Sequence, residues 1–325
     1  MPETTNIARM AEILSDDVFS RFLWSRTGPL NQNWPCETEA HAPRTSHPSD
    51  VVFYYDEPYT LRRTYVNCDL KSYAKASISA SAVLAALENL AQSLSCIEIS
   101  SEWRNMYIHD GCTPSICGLL FIYNHDGDYD SDFDKILAQV KHEKIRVPRG
   151  SQIALFGPQQ IRWLDNVRYE IIHMRGISEL PPEAQCRFQY PHQVRKKKVQ
   201  VEKARAASLE MLAGPWITLA YDSYDGRRPG IVVFYGQSGE STEEFLYLID
   251  YLMHYQMVKP GVDIRIRTLE PDGNSAAHFE RAIDEYRDNF QGGDEIAGLL
   301  SSIDYRQLHQ VHRSFSQVEI GMNNV

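Results

Sequence analysis

The stretch PSDVVFYYDEPYTLRRTYVNCDLKSYAK, residues 48–75, decides how the chain is read. Two runs rich in β-branched and aromatic residues flank a turn. The first spans Asp50 to Tyr55, Asp56, Glu57 and Pro58 supply turn chemistry, and the second spans Arg63 to Lys71. Strand side chains alternate between faces. Thr64, Val66, Cys68 and Leu70 are therefore expected on a core face, and Tyr65, Asn67, Asp69 and Lys71 on the other. That pattern puts a carboxylate and an ammonium together near the end of one strand, with the Asp50 carboxylate at the mouth of its neighbour.

Those residue types suit one chemistry. A hard cation such as Mg²⁺ is held by one or two carboxylates and keeps several waters. Asp50 and Asp69 are the candidate ligands, and the Leu70 carbonyl adds a third. A cation held there neutralises charge on phosphoryl oxygens and eases ionisation of a water. Lys71, a point charge on a flexible stem, can orient the attacking water or steady developing charge. Asp69-Leu70-Lys71 is the only acid-x-Lys triplet in the chain. About one would arise by chance in a chain this rich in acids, and an isolated triplet is no more than a surface ion pair. Its position at a strand end, after an Asp-led strand and before a helix, is what gives it weight.

On Pro48-Ser49-Asp50 followed by Asp69-Leu70-Lys71, the chain resembles the PD-(D/E)xK nuclease superfamily, the restriction-endonuclease-like fold. The resemblance implies an α/β chain with an αβββαβ core, Mg²⁺ or Mn²⁺ bound by Asp50 and Asp69, and Lys71 as the catalytic lysine of phosphodiester cleavage. HPSDVVFYYDEPY (47–59), DLKSYAKASI (69–78) and GLLFIYNHDGDYD (118–130) look like a nuclease-like subunit of a two-component bacterial anti-phage defence system. That likeness implies a second nuclease-like subunit as partner. Ser49 departs from the motif by separating Pro48 from Asp50. The superfamily often adds an acid from its first helix or strand; Glu12, Glu37 and Glu39 compete for that role, and Glu37 and Glu39 are preferred for lying just before the motif, with Glu39 slightly ahead.

The function expected is Mg²⁺-dependent hydrolysis of phosphodiester bonds in DNA. Two alternatives stand beside it: a catalytically silent nuclease fold acting as a DNA-binding or scaffolding subunit, and a nucleotide- or flavin-binding protein centred on Gly236 to Thr242. Retention of both acids and the lysine favours catalysis over the silent fold.

Composition is that of an ordinary globular chain, 43% apolar and 23% charged. The net charge of −10 argues against a uniformly basic nucleic-acid footprint. The local exception is Arg187 to Arg205, which contains Arg195, three consecutive lysines to Lys198, Lys203 and Arg205. It can line a phosphate-binding face or be a solvated helix face. No run of eighteen apolar residues appears, so no membrane span is expected. The first ten residues lack a basic-then-apolar leader, which points to the cytoplasm. Six scattered cysteines without C-x-x-C spacing read as thiols, not as a zinc site, and His41 and His47 as solvent-facing.

Along the chain, helical spacing is expected over residues 5–24, then a long loop to Ser49 with one strand near Cys36. Ser77 or Ser79 caps a helix running to about Ser95, and Lys75 enters it from the catalytic end. Cys117–Tyr123 reads as a central strand buried on both faces. Asp126, Asp128, Asp130, Asp132 and Asp134 hint at a calcium loop, but Ser131 stands where glycine is needed and Leu137 where an acid is needed, so helix capping over 131–143 is preferred. A strand at Ile153–Phe156 and a helix from Pro158 to about Arg175 follow. The Pro-rich break at 179–182 divides a nuclease-like domain, 1–178, from an α/β assembly or regulatory domain, 179–325. The second domain opens on a helix from about Val194 to Leu212. Strands are expected there at Trp216–Tyr221, Gly230–Tyr235 and Val262–Thr268, with helices at Thr242–Met257 and Asn274–Phe290. The Phe234–Thr242 segment resembles a phosphate loop but reads better as a turn with an N-cap. The Thr242–Met257 helix is apolar over a wide arc that must be buried within the domain or against another chain, and a homo-oligomer or a partner subunit is expected to cover it.

Overall fold

The computed structural model describes residues 12–13, 15–60, 62–190, 204–289, 293–309 and 311–312. The chain forms two compact units, one of residues 1–165 and 312–325, the other of residues 166–311.

The first unit is an αβββαβ core. Helix α1 (residues 15–21) leads into β1 (Ser25–Thr27), and a small two-stranded sheet of β2 (Gln32–Pro35) and β3 (Ser46–Ser49) follows. The segment expected as a long loop with one strand near Cys36 thus contains three short strands, β2 being the one next to Cys36. The main sheet adds β4 (Val51–Asp56), β5 (Arg62–Tyr73), β6 (Thr113–Asn124) and β7 (Ile153–Phe156), in the order β1-β4-β5-β6-β7. Strand β4 runs antiparallel to both its neighbours, β1 and β5, while β5, β6 and β7 are parallel. The crossover from β5 to β6 carries α2 (Ala80–Ile97) and α3 (Ser101–Tyr107). Parallel strands require such a connection.

Both faces of the sheet are covered. On one, Phe19 of α1 packs against Phe53 at 5.2 Å and Phe121 at 5.8 Å between ring centroids. On the other, α2 buries Val83, Leu87 and Leu90 against Leu120 and Ile122. Ser79 caps α2 by accepting the Ala82 amide hydrogen. A Cβ at Gly118 would lie 3.1 Å from Leu90 and Leu94, so glycine lets this helix settle on β6. By length and hydropathy α2 is apolar enough to cross a bilayer, but its apolar face is part of this core. Later in the unit, Asp132 caps α4 (Phe133–Leu137) by accepting from the Asp134 amide.

One expectation about β5 is corrected. Tyr65 and Asn67 do not face solvent but are buried, at 0% and 1% exposure. Trp34, Leu94, Ile97, Trp103 and Tyr107 form the layer that covers this side. The far end of that face, from Asp69 onward, remains half-buried.

The second unit includes the later part of α5 (Pro158–Gly176) and a sheet ordered β12-β11-β10-β9-β8. Its strands are β8 (Cys186–Phe188), β9 (Trp216–Tyr221), β10 (Gly230–Tyr235), β11 (Asp263–Thr268) and β12 (Asp304–Gln307). The outermost pair, β8 and β12, was not anticipated. Helices α6 (Leu209–Leu212), α7 (Thr242–His254), α8 (Ser275–Asn289) and α9 (Gly293–Ser301) complete it. Of the expected Val194–Leu212 helix, residues 194–203 lie outside the described residues; Leu209–Leu212 is helical. The apolar arc of α7 is largely absorbed within the unit: Phe245, Leu248, Ile249 and Leu252 are buried, with Leu246 and Met253 packed against the same core.

Candidate active site

Two strands place the acids. In the antiparallel β4–β5 pair, Val51 lies opposite Cys68, and one further step of the same register sets Asp50 opposite Asp69. Residues in register share a face of the sheet. Asp50 stands just before β4 rather than opening it. Its Oδ2 accepts the Leu70 amide hydrogen at 2.7 Å, a bond across the two strands. Lys71 Nζ donates to Asp69 Oδ1 at 2.5 Å. Two carboxylates and one ammonium therefore meet at the end of β5, half-buried.

The electrostatics follow from that crowding. Burial pushes the Asp50 carboxyl up to about 6, and the neighbouring Asp69 carboxylate pushes the same way. The Leu70 amide and the Lys71 charge hold it partly down. Burial works against the Lys71 ammonium, but contact with Asp69, and the charge of Asp50 beyond it, leave it above its ordinary value. Tyr107 lies near enough to feel the same acid. Burial and then the Asp50 charge push its hydroxyl up to about 12. The site holds more negative charge than its own lysine balances, an arrangement that favours a bound cation.

The segment before Asp50 is held by contacts that periodicity could not show. Ser49 Oγ accepts from the indole of Trp34 at 3.1 Å and from that of Trp103 at 3.0 Å, and donates to Asn67 Oδ1 at 2.7 Å. All four residues are buried. The serine that interrupts the Pro-Asp motif is thus the anchor of the strand end that presents Asp50. Its position as a departure from the motif was the one visible sign. Asn31 adds a second tie: its backbone amide donates to the Asp50 carbonyl at 2.9 Å.

The same Asn31 side chain donates to the Glu12 carboxylate. Of the three candidate third acids, Glu12 is the one tied to the Asp50 segment. Glu37 and Glu39 are exposed, and Glu39 opens a short turn ending at His41. Among the described residues, no hydrogen bond or ion pair joins either to Asp50, Asp69 or Lys71. Lys75 is also placed elsewhere: its Nζ pairs with Asp130 at 2.6 Å and its amide donates to Asp126 at 2.9 Å. The aspartates after β6 therefore order their own loop and the entry to α2.

Other candidates separate cleanly. Of the basic run, residues 191–203 lie outside the described residues. Its flanks are structural: Arg187 pairs with Asp222 at 2.9 Å, and Arg205 donates to the Cys186 carbonyl at 2.6 Å. In the loop before α7, the Glu244 carboxylate accepts from the amides of Gly239 at 2.8 Å and Glu240 at 3.1 Å. Ser241 accepts in return from the Glu244 amide. The donors a phosphate would need are already bound to an acid, as in a helix cap.

Comparison with known proteins bears on the first unit. Residues 1–160 match the family described as GAPS4 protein PD-(D/E)XK nuclease domain. No curated protein matches the chain. The match covers the αβββαβ core, the part of the chain that carries Asp50, Asp69 and Lys71. Residues 1–160 of this chain belong to the PD-(D/E)XK nuclease domain family of GAPS4.

Proposed function

We propose that the chain is a Mg²⁺- or Mn²⁺-dependent nuclease that hydrolyses phosphodiester bonds in DNA as a subunit of an anti-phage defence complex. The carrying observation is that Asp50 is bonded to the Leu70 amide, beside Asp69, with Lys71 bonded to Asp69. The donors fit a hard cation: two carboxylates, with the Leu70 carbonyl beside them. Glu12, rather than Glu39, is the supporting acid in this reading, because it reaches the Asp50 segment through Asn31. A cation held there supplies positive charge to the phosphoryl group and acidifies a water. Lys71 steadies the negative charge that builds on the phosphoryl oxygens, from a position fixed by Asp69. The Leu70 amide holds the Asp50 carboxylate in place through Oδ2.

The second unit serves assembly or regulation in this reading. Its support is the family likeness rather than α7, whose apolar arc is mostly covered from within; Tyr247, 66% exposed on that helix, is the side chain it leaves for a partner. The test is incubation of the purified chain with DNA or RNA and Mg²⁺, Mn²⁺ or EDTA, alone and with its neighbouring gene's product. Metal-dependent DNA cleavage abolished by Asp69→Asn supports the reading. Cleavage that persists in EDTA, or in the Asp69→Asn protein, ends it.

A further inference from the structure

Away from the carboxylates, the structure gathers four side chains that the sequence scatters. Cys36 follows β2, His41 ends the short turn after it, His47 lies in β3, and Cys96 is near the end of α2. One ligand atom from each lies within 4.8 Å of all the others. This overturns the expectation that the cysteines are isolated thiols and that both histidines face solvent.

The three distances among Cys36, Cys96 and His41 are close to the edges of a tetrahedron. Cys36 Sγ and Cys96 Sγ are 3.6 Å apart; His41 Nδ1 is 3.5 Å from the first and 3.2 Å from the second. Zinc bonds of about 2.3 Å to sulfur and 2.0–2.1 Å to nitrogen give tetrahedral edges of roughly 3.8 Å between sulfurs and 3.6 Å between sulfur and nitrogen.

Two further observations point to a ligand. His47 is fully buried, and neither of its ring nitrogens has a hydrogen-bond partner. Such a group is costly to bury and is satisfied by a metal bond. The second is an outer shell already in place. His41 Nε2 sits 3.3 Å from Ser95 Oγ, leaving Nδ1 to face the sulfurs, and Thr38 Oγ1 lies 3.1 Å from Cys96 Sγ. Metal-bound histidines bond through the other ring nitrogen in this way. Two thiolates and two imidazoles also neutralise a divalent ion, so the closed site carries no net charge into the interior.

We propose that Cys36, His41, His47 and Cys96 form a structural Zn²⁺ site that clamps the β2–β3 segment onto the end of α2. Only two residues, Pro48 and Ser49, separate His47 from Asp50, so the clamp fixes the chain that delivers the first catalytic acid. All four positions are supplied by protein, which makes the site closed and structural rather than catalytic.

The test is metal analysis of the full chain, purified under reducing conditions without a metal-affinity step and washed with EDTA. About one zinc per chain is expected, retained in Asp69→Asn and lost in Cys96→Ser. Ser95→Ala should weaken zinc binding by about 10–100-fold. Cobalt substitution should give the intense visible bands of a tetrahedral thiolate site, moved to longer wavelength in His47→Cys, a variant that keeps four ligands. Reduced wild-type protein that takes up neither zinc nor cobalt overturns the proposal. So does zinc that remains in full in folded Cys96→Ser, or a cobalt spectrum unchanged by His47→Cys. A wild-type Cys36–Cys96 disulfide whose reduction does not restore metal binding overturns it as well.

Discussion

At the end of β5, two acids meet one lysine; in the second unit, three acids meet three arginines. Arg267, only 3% exposed, approaches Asp304 at 3.0 Å, Glu170 at 3.6 Å and Glu179 at 3.7 Å. Arg265 reaches Glu179 at 3.8 Å and Arg306 reaches Asp304 at 2.6 Å. Glu170 spends its other oxygen on the His309 amide at 2.9 Å. Charges match, the planar guanidinium fixes the geometry, and no acid is left seeking a cation. Asp50 and Asp69 differ in each respect. Their lysine is a point charge bonded to one of them, and burial leaves the other acid ready to take a proton. A closed cluster of this kind holds a fold together; an under-neutralised one is held in place by the fold so that something else can bind.

The largest effect that could break this contrast lies in the closed cluster. Arg267→Leu leaves three acids without their shared partner and is expected to cost about 3–5 kcal/mol in urea unfolding. A loss below roughly 1 kcal/mol would show that the cluster is not structural.

Lys71→Ala should divide the two regions most clearly. Single-turnover cleavage is expected to fall about 100- to 1000-fold. Stability should shift by no more than about 1 kcal/mol, since the pair with Asp69 is partly exposed. Destabilisation comparable to Arg267→Leu would make Lys71 a structural cation too.

The pH dependence sharpens the difference next. Asp50 is held above the ordinary carboxylate range, at about 6, so the folded, metal-free protein keeps a proton that the unfolded chain releases. Stability from this group is full below about pH 4 and is lost as pH rises through 6, by about 3 kcal/mol at most. Denaturation in EDTA across that window should show the loss. Asp50→Asn should flatten it, and Mg²⁺ should oppose it at pH 7. Stability that rises between pH 4 and 6 only when Asp50 is present would reverse the assignment.

The smallest change belongs to the rim of the closed cluster. Glu179 is about one-third exposed, and Glu179→Gln is expected to cost less than about 1 kcal/mol. A cost equal to that of Arg267→Leu would place the cluster's weight on Glu179 instead of on the buried guanidinium.

Much of this was legible in the chain itself, for local reasons. Alternation along Thr64 to Lys71 put Asp69 and Lys71 on one face, because successive strand side chains can point nowhere else. Trp216–Tyr221 and Gly230–Tyr235 were readable as strands from their β-branched and aromatic runs, and the cap of α2 as Ser77 or Ser79, of which Ser79 is the one that accepts the amide hydrogen. What covers a face is not local. Periodicity left Tyr65 and Asn67 open, and only the docking of α2 and α3 with the β2–β3 pair buried them. Tertiary structure likewise tied Glu12 to the Asp50 segment through Asn31, while Glu39, nearer in sequence, joined another turn. It turned Ser49 from a blemish in a motif into the acceptor of two indoles. It also brought Cys96 to Cys36, His41 and His47 across the interval occupied by β4 and β5. Backbone geometry determines which way a side chain points within one element; which side chains meet depends on how helices and sheets pack, and that is settled by the burial of the whole core.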